Sequence, residues 1–407
     1  MVFEFRGVIH RKFVDAGYSG KDIGNDILSG SLGRKRRMKK LRKSIAAVTM
    51  ISVCIFTSCS GQRNTNVHKE IDMTEVTDIE ADEGFPDHYE YESDKIKCNC
   101  EIIVPENFDK NNFFAVQSVQ KEYGDEAEQK RIYMEGKEIA SQQESPAQGD
   151  LRAGSYYTFT DNSGLNMGFL FSYYTSFYKY YPRDPQASEA LGQSGVSFMS
   201  EEECLSAIKE RLKEIGFSKE EFIYEIYPMN HLDLEKTEEE QIAQGYRMEE
   251  DKKESWGEED DAYYISAYQE EQSLPVFHEQ MAIARSLAFD SPANAPVQMI
   301  YSARGVEWLY VSPVYSLERS QEKVSFQNFD DIMETVKMKF ESILNEATYE
   351  IRKIKLFEMV RNNEQQEYEA FPVWYFETIE HPADTDIPPT VSVTVINALT
   401  GEEVYIK

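Results

Sequence analysis

Two cysteines separated by a single residue are the clearest candidates for chemistry within the body of this chain. In a strand, Cys98 and Cys100 would place both thiols on the same face. Such thiols could form a redox pair or bind a metal ion, although strand geometry strains a disulfide and a zinc site needs further ligands. The alternative is that both are ordinary small residues packed in a strand.

Other catalytic patterns in the sequence are incomplete. Ser206 and Lys209 have the Ser-x-x-Lys spacing of penicillin-recognising enzymes, but they fall within a predicted helix and no Lys-Thr-Gly partner occurs. The 6 histidines are scattered, and the sequence has no phosphate loop, dinucleotide glycine pattern or calcium loop. We therefore predict that the protein is not an enzyme and holds no cofactor or metal ion.

A three-part segment with the layout of an export signal precedes these residues. It consists of a cationic block at 34–43, an apolar run of 12 residues at 45–56, and small residues before Cys59. The run is shorter than the about 20 apolar residues that a membrane-spanning helix needs. The layout predicts a cleaved signal peptide, and its end at 56–59 (Phe-Thr-Ser-Cys) resembles a bacterial lipobox.

The lipobox resemblance implies that Cys59 carries a diacylglyceryl group, with fatty acids such as palmitate, and becomes the mature N-terminus. Two acyl chains are enough for stable anchoring, so we expect attachment to the cell membrane at its extracytoplasmic face. Plain secretion, or a buried Cys59, is the alternative. Because a signal normally starts at the beginning of a chain, Met38 is the predicted initiator and residues 1–37 are interpreted as a mis-called extension.

The composition excludes one class of partner. The chain has 43 Lys and Arg against 73 Asp and Glu, a formal net charge of −30, which repels nucleic acid and anionic membrane surfaces. Its hydrophobic content of 41 %, with 23 Phe and 25 Tyr, is sufficient for folded cores. We therefore expect an acidic, folded protein without a nucleic-acid partner.

An aromatic region follows the first predicted strands. Two β-prone runs, Tyr156–Thr160 and Leu165–Tyr174, flank turn formers at Asp161–Gly164, which predicts a β-hairpin. Its aromatic side chains, Tyr173 and Tyr174 among them, could form a platform on which sugars stack. The alternative is a sheet whose rings pack inward or pair across strands.

The C-terminal half has the pattern of a duplicated unit. A capping box at Ser200 begins one amphipathic helix, and Asn328 begins another whose apolar positions extend to Leu344. Strands follow each helix. In this alignment Leu274–Phe277 (Leu-Pro-Val-Phe) of the first copy corresponds to Phe371–Trp374 (Phe-Pro-Val-Trp) of the second, so we expect both prolines at the same corner of a sheet.

The second copy resembles PepSY-like domains. The resemblance rests on a helix and a strand, then Pro372–Phe376 (Pro-Val-Trp-Tyr-Phe), then a strand that ends in Ile396–Glu402 (Ile-Asn-Ala-Leu-Thr-Gly-Glu). It covers roughly 330–407 and, more weakly, 200–314. The segment also looks like the YycH/YycI group of extracytoplasmic regulators, which bind and restrain a membrane sensor kinase. This implies a protein partner in the cell envelope. Trp374, within the motif, joins Tyr173 and Tyr174 as a candidate binding residue.

Together these patterns predict an α+β protein with antiparallel sheets, each with a packed helix: two PepSY-like helix-plus-sheet repeats and an N-terminal aromatic β-rich region. The predicted function is that of a non-enzymatic, lipid-anchored envelope protein that binds or regulates another protein. The alternative is a carrier or binder of small molecules or cell-wall fragments through the aromatic strands.

The predicted segments are the extension 1–37, a signal peptide 38–58, an acidic tether 59–95, a β-rich domain 96–198, a first repeat 199–325 with an acidic, solvated or disordered insert at 231–261, and a second repeat 326–407.

Overall fold

The computed structural model of the protein describes residues 84–147, 152–186, 188–217, 221–278, 292–312, 314–363 and 367–405. The predicted extension 1–37, the predicted signal peptide, Cys59 and the predicted tether up to residue 83 lie outside the described residues. The tether prediction is wrong for residues 88–92, which form a strand that pairs with residues 97–101. Within the described ranges, no helix combines the length and apolar character needed to cross a membrane.

The described α-helices are α1 (Glu126–Met134), α2 (Glu201–Glu214), α3 (His231–Ala243) and α4 (Phe329–Ser342). The described strands are β1 (His88–Glu92), β2 (Ile96–Ile103), β3 (Phe114–Glu122), β4 (Ile139–Ser145), β5 (Gly154–Phe159), β6 (Gly164–Met167), β7 (Phe171–Tyr174), β8 (Glu221–Met229), β9 (Ala262–Glu271), β10 (Leu274–His278), β11 (Val297–Ser302), β12 (Gly305–Val311), β13 (Val314–Lys323), β14 (Thr348–Asn362), β15 (Tyr368–His381) and β16 (Thr390–Asn397).

Most of these strands belong to one 14-stranded sheet, while β3 and β13 form a separate two-stranded ribbon. The order along the sheet is β1-β2-β14-β10-β9-β11-β12-β7-β6-β5-β4, with β15 and β16 continuing from β14 and β8 pairing with β9. Among the described pairs, β14 runs parallel to β2 and to β10, and the other neighbours are antiparallel. The fold is therefore α+β with a large and mostly antiparallel sheet, as the sequence predicts at that level.

Helix α2 covers one hydrophobic cluster of the sheet. Its start is the predicted capping box: the Ser200 side chain accepts the backbone N–H of Glu203, and the Glu203 carboxylate accepts the backbone N–H of Ser200. One face of the helix buries Cys204, Ile208 and Leu212. These residues belong to one hydrophobic cluster with side chains from β5, β6, β7, β8, β9, β11, β12 and β13, so the helix and these strands share one core.

Helix α4 covers a second cluster with residues of β2, β14, β15 and β16. The Asn328 side chain accepts the backbone N–H of Asp330 and caps the helix, and the buried face includes Ile332, Val336 and Phe340. Leu344 was predicted to be buried and is instead fully exposed. The reason is that the helix ends at Ser342, so the helical period no longer directs Leu344 toward the sheet.

Each of these two helices precedes three neighbouring antiparallel strands, β8-β9-β11 after α2 and β14-β15-β16 after α4. The two proline motifs, however, do not occupy matching positions. Pro275 lies in β10, a short strand between β9 and β14, whereas Pro372 lies inside β15, the second strand after its helix. The prediction that they share one corner is wrong, because β10 is an additional strand that joins the two halves of the sheet.

The acidic segment 231–261 is folded against the sheet, which corrects its interpretation as a solvated or disordered insert. It contains α3, whose buried residues include Leu234 and the charged Glu238. Glu238 accepts hydrogen bonds from Arg247 and from the Trp256 indole, at 2.6 and 2.8 Å. Buried acidic side chains are tolerated here because basic and indole donors of the same segment satisfy them.

Candidate functional site

A cleft of about 300 Å³ opens where the β5–β6 and β11–β12 hairpins end. We call it the end cleft. Both hairpins place polar turn residues there, and the chain leaving β7 supplies a third wall. Its lining residues are Lys137, Asp161, Ser163, Thr175, Ser176, Phe177, Arg304 and Glu307.

The β5–β6 turn forms the first wall, and the predicted hairpin is confirmed with Tyr157 opposite Leu165. Asn162 has a φ of 62°, a left-handed conformation that Asn adopts more readily than most residues. Asp161 accepts hydrogen bonds from both the backbone N–H and the hydroxyl of Ser163, at 2.9 and 2.5 Å. The turn is thereby locked by its own side chains.

Lys137 approaches this turn from the segment between α1 and β4. Its ammonium donates to Ser163 Oγ at 2.6 Å, to Asp161 Oδ2 at 3.1 Å and to Tyr173 Oη at 3.3 Å. Partial burial raises the pKa of Asp161, but hydrogen bonds from Ser163 and the contact with Lys137 outweigh it, so the pKa lies below its ordinary value. Asp161 is therefore ionised at neutral pH, and Lys137 is its counter-ion.

This geometry bears on whether Ser163 and Lys137 act as a catalytic pair. A lysine base would need a free lone pair directed at the serine proton. Here the Lys137 ammonium has three N–H donors, and all three are engaged. The Ser163 hydroxyl donates to Asp161, and the residue is 1 % exposed. The arrangement suits a structural brace and leaves no activated nucleophile.

The second wall is organised by Arg304, in the β11–β12 turn. Its Nε donates to Glu307 Oε1 at 2.6 Å, while its two terminal nitrogens donate to Asp260 at 3.2 Å and to Tyr181 Oη at 2.8 Å. Glu307 is 1 % exposed and also accepts hydrogen bonds from Ser302 and Thr175. Arg304 therefore ties the sheet to the folded acidic segment, which contributes Asp260.

Aromatic side chains border the cleft on its outer side. The Phe177 ring is 42 % exposed, and the Arg304 guanidinium lies 4.4 Å from its centre. Tyr178 follows in the chain and packs against Tyr174, with ring centres 4.8 Å apart. The Tyr174 and Tyr156 hydroxyls are hydrogen-bonded at 2.5 Å. Rings held in this way form a half-exposed, preorganised surface.

The structure separates the three predicted binding residues. Tyr173 is 8 % exposed and packs on Tyr133 in the core under α2, while Tyr174 is on the opposite, outer face of β7. Trp374 is fully buried, with its ring centre 4.9 Å from those of Phe85 and Phe329. Trp374 therefore cannot contact a ligand at the surface, and of the three residues Tyr174 alone remains suited to that role.

Sequence reasoning missed Lys137, Arg304 and Glu307. Arg304 lies in the turn between β11 and β12, and nothing in its local sequence pattern distinguishes it from any exposed turn residue. No local signal identifies these three residues, because they come together only in the tertiary structure. Within the described ranges, no group of three or more His, Cys, Asp or Glu side chains is arranged to hold a metal ion.

Comparison with known proteins adds evidence on the fold alone. No protein-family model matches the chain, and no curated protein matches it significantly. The chain is similar to the crystal structure of an uncharacterized protein from Eubacterium rectale ATCC 33656, with a TM-score of 0.53 and 15 % sequence identity. The similarity covers 79 % of this chain and 94 % of that one. A protein with only 15 % sequence identity therefore shares the fold at this level of similarity.

Proposed function

We propose that this chain is a lipid-anchored, extracytoplasmic protein that binds another protein of the cell envelope and catalyses no reaction. The observation that carries the proposal is that the charged side chains of the end cleft are already hydrogen-bonded to other residues of the chain. The Lys137 ammonium donates to Asp161, Ser163 and Tyr173, and the Arg304 guanidinium donates to Glu307 and Asp260. Groups that are already paired stabilise a surface but are poorly suited to proton transfer or nucleophilic attack.

The residues around the cleft support protein recognition. Tyr, Trp and Arg are enriched among the side chains that dominate binding energy at protein interfaces, especially when they are held rigidly. Phe177 projects with Arg304 stacked against it, and Tyr174 and Tyr178 are fixed by ring and hydroxyl contacts. Little side-chain entropy is lost when such rings meet a partner.

The finer description of the fold belongs to the same proposal. The two helix-plus-three-strand segments, led by α2 and α4, support the interpretation as PepSY-like repeats. That resemblance implies a regulatory partner in the envelope. The lipid anchor at Cys59 would keep the folded part near the membrane, where such a partner resides.

The experiment compares three forms of the chain immobilised on beads: the natural sequence, Phe177→Ala and Tyr405→Ala. Each is exposed to detergent-solubilised membranes of the producing bacterium, and retained proteins are quantified by mass spectrometry. Tyr405 is 73 % exposed and serves as the matched aromatic control. A specific partner should be retained by the natural sequence and by Tyr405→Ala. Phe177→Ala should lose about 2 kcal/mol or more of its binding free energy. Retention of no specific protein by the natural sequence would contradict the proposal.

A second candidate function is favoured by the tyrosines beside the cleft. Tyr156, Tyr174 and Tyr178 present half-exposed rings next to a cavity near the lower limit of small-ligand sites, which is about 300 Å³. This supports the carrier of small molecules or cell-wall fragments. Titration with muropeptides or oligosaccharides, followed by tyrosine and tryptophan fluorescence, should then show saturable binding that Tyr174→Ala abolishes. Equal binding by the natural sequence and by Tyr174→Ala would exclude the tyrosine face as the binding site.

A further inference from the structure

Cys98 and Cys100 form a cluster of reactive side chains outside the end cleft. Both lie in β2, both belong to the core under α4, and both are free thiols. Cys98 is 1 % and Cys100 is 9 % exposed. Their sulfurs are 3.6 Å apart and share a hydrogen bond. The predicted placement of both thiols on one strand face is thereby confirmed.

The strand geometry argues against a disulfide between them. With a rise of about 3.3 Å per residue, positions two apart are about 6.6 Å apart along the strand. Cβ atoms joined by a disulfide are about 3.8 Å apart, and the bond itself is about 2.05 Å long. Oxidation would therefore require β2 to bend while it pairs with β1 on one side and with β14 on the other.

The observed sulfur separation fits two thiolates that share one soft metal ion. Metal–sulfur bonds of about 2.3 Å that meet at a tetrahedral angle place the sulfurs about 3.8 Å apart. Two-coordinate Cu(I) is linear and holds its sulfurs farther apart than the observed 3.6 Å, so binding the ion requires the two side chains to turn apart. Zinc needs four ligands, and no further His, Cys, Asp or Glu completes such a set within the described ranges. Cu(I), by contrast, is satisfied by soft sulfur donors and accepts two of them.

We propose that Cys98 and Cys100 bind one Cu(I) ion. Each thiol releases its proton to water and forms one sulfur–copper bond, so copper keeps its oxidation state. The resulting bis-thiolate complex carries one negative charge. This assignment goes beyond the proposed function and does not depend on it. It replaces the sequence prediction that the protein holds no metal ion.

The surroundings of the pair suit such a charge. Tyr91 and Tyr89 of β1 are opposite Cys98 and Cys100, and the Lys337 ammonium lies 4.3 and 5.6 Å from the centres of those two rings. The Lys337 ammonium also contacts Glu334 at 2.7 Å, so its positive charge is shared between that carboxylate and the face that carries the two thiols.

Strand β1 has 5 residues, ends the strand order and pairs with β2. The Cys98 thiol contacts the Tyr89 carbonyl of this strand at 3.8 Å. The pair therefore lies beside the edge of the sheet, which is the side from which a copper donor would approach.

The test is an anaerobic competition between the purified full chain and a chromophoric Cu(I) chelator. The natural sequence should withdraw copper from the chelator. Cys98→Ser and Cys100→Ser should each weaken binding more than about 100-fold, because loss of a ligand exceeds the 10–100-fold cost of losing an outer partner. Cys204→Ser, which changes the buried thiol of α2, and a Cys54→Ser/Cys59→Ser double variant should bind as the natural sequence does.

X-ray absorption on the copper-loaded natural sequence identifies the atoms bound to copper. This measurement does not depend on whether any variant folds. Sulfur neighbours alone in the first shell of copper would support the site. A shell of nitrogen or oxygen atoms, failure to compete with the chelator, or undiminished binding by a folded Cys98→Ser/Cys100→Ser variant would each overturn it.

Discussion

Glu358 and Glu271 lie on the same face of the sheet, connected through β10. Glu358 is opposite Val276, and Glu271 is opposite Leu274, two residues earlier on the same strand face. Glu358 is fully buried, and its two carboxyl oxygens have no hydrogen-bond partner among the described residues. Burial, and to a smaller extent the nearby Glu271 carboxylate, raises the pKa of Glu358 well above its ordinary value. A neutral carboxyl group thus occupies the middle of the sheet.

The first prediction concerns the pH dependence of stability that follows from Glu358. Because the folded state holds this proton more tightly than the unfolded state, the contribution of Glu358 to stability is complete below the ordinary glutamate pKa of 4.5. It is lost as the pH rises from there toward the raised value. Glu358→Met should stabilise the protein at neutral pH by about 1–3 kcal/mol, since it removes an unsatisfied buried polar group. It should also flatten the slope of stability against pH.

Urea unfolding at mildly acidic and at neutral pH measures both effects. Glu101→Met, at an exposed position of β2, is the control and should leave the slope unchanged. A Glu358→Met variant that is less stable than the natural sequence at neutral pH would show that Glu358 is paired in the folded state.

The second prediction concerns Arg304. Its replacement by Ala leaves Glu307 and Asp260 buried with fewer partners, so the free energy of unfolding should fall by about 3–5 kcal/mol. Arg183→Ala, which removes an exposed arginine bonded to Tyr178, should change stability by no more than about 0.5 kcal/mol. Equal effects in chemical denaturation would mean that the Arg304 network adds nothing beyond an ordinary surface contact.

The third prediction concerns the close approach of Gly164 and Tyr174. A Cβ atom at position 164 would lie 2.4 Å from the Tyr174 ring, so Gly164→Ala should destabilise the protein by about 1–3 kcal/mol. In a Tyr174→Ala background the same change should cost much less, and a double-mutant cycle measures the difference. Gly195→Ala is the matched control, since a Cβ there meets nothing within 4 Å. Additive effects would exclude the contact.

The fourth prediction concerns the capping box of α2. Ser200→Ala should lower stability by about 1 kcal/mol, because the backbone N–H of Glu203 loses its acceptor. Ser206→Ala, in the exposed middle of the same helix, should be neutral or slightly stabilising. Thermal unfolding of both variants separates the effect of capping from that of helix propensity. A Ser206→Ala variant less stable than Ser200→Ala would show that the Ser200 side chain does not stabilise the helix as its cap.

The fifth prediction concerns the anchor. Cys59→Ala should abolish incorporation of labelled fatty acid and release the protein from membranes, because two acyl chains are needed for stable attachment. Fractionation of cells grown with the labelled lipid gives both readouts. Cys54→Ala, within the same predicted signal segment, should retain label and membrane attachment. An alanine variant at 59 that stays fully membrane-bound would contradict the lipoprotein interpretation.

Local signals predicted the local structure well. The Ser200 capping box, the start of the second helix near Asn328 and the turn at Asp161–Gly164 depend on residues within a few positions of one another, and the structure confirms each of them. The aromatic run Leu165–Tyr174, predicted as one strand of the hairpin, differs from the prediction. It divides into β6 and β7, with a turn that includes Gly168 at a φ of 139°.

Long-range pairing could not be predicted in the same way. Nothing near Leu274 shows that β10 will pair in parallel with β14, and so the proline motif was assigned to the wrong position. The composition of the acidic segment predicts a solvated insert. Its burial depends on specific partners such as Arg247 and Trp256, which composition does not reveal. The end cleft was missed for the same reason, because Lys137 and Ser163 meet through tertiary structure.

The parallel pairing of β2 with β14 also sets the order of events during synthesis. Residue Ile96 is opposite Tyr349, so the first long strand waits for roughly two hundred and fifty residues before its neighbour is made. Chains with such distant contacts fold slowly. Until that late strand is made, one edge of the early strand has unpaired backbone groups, which can pair with other chains.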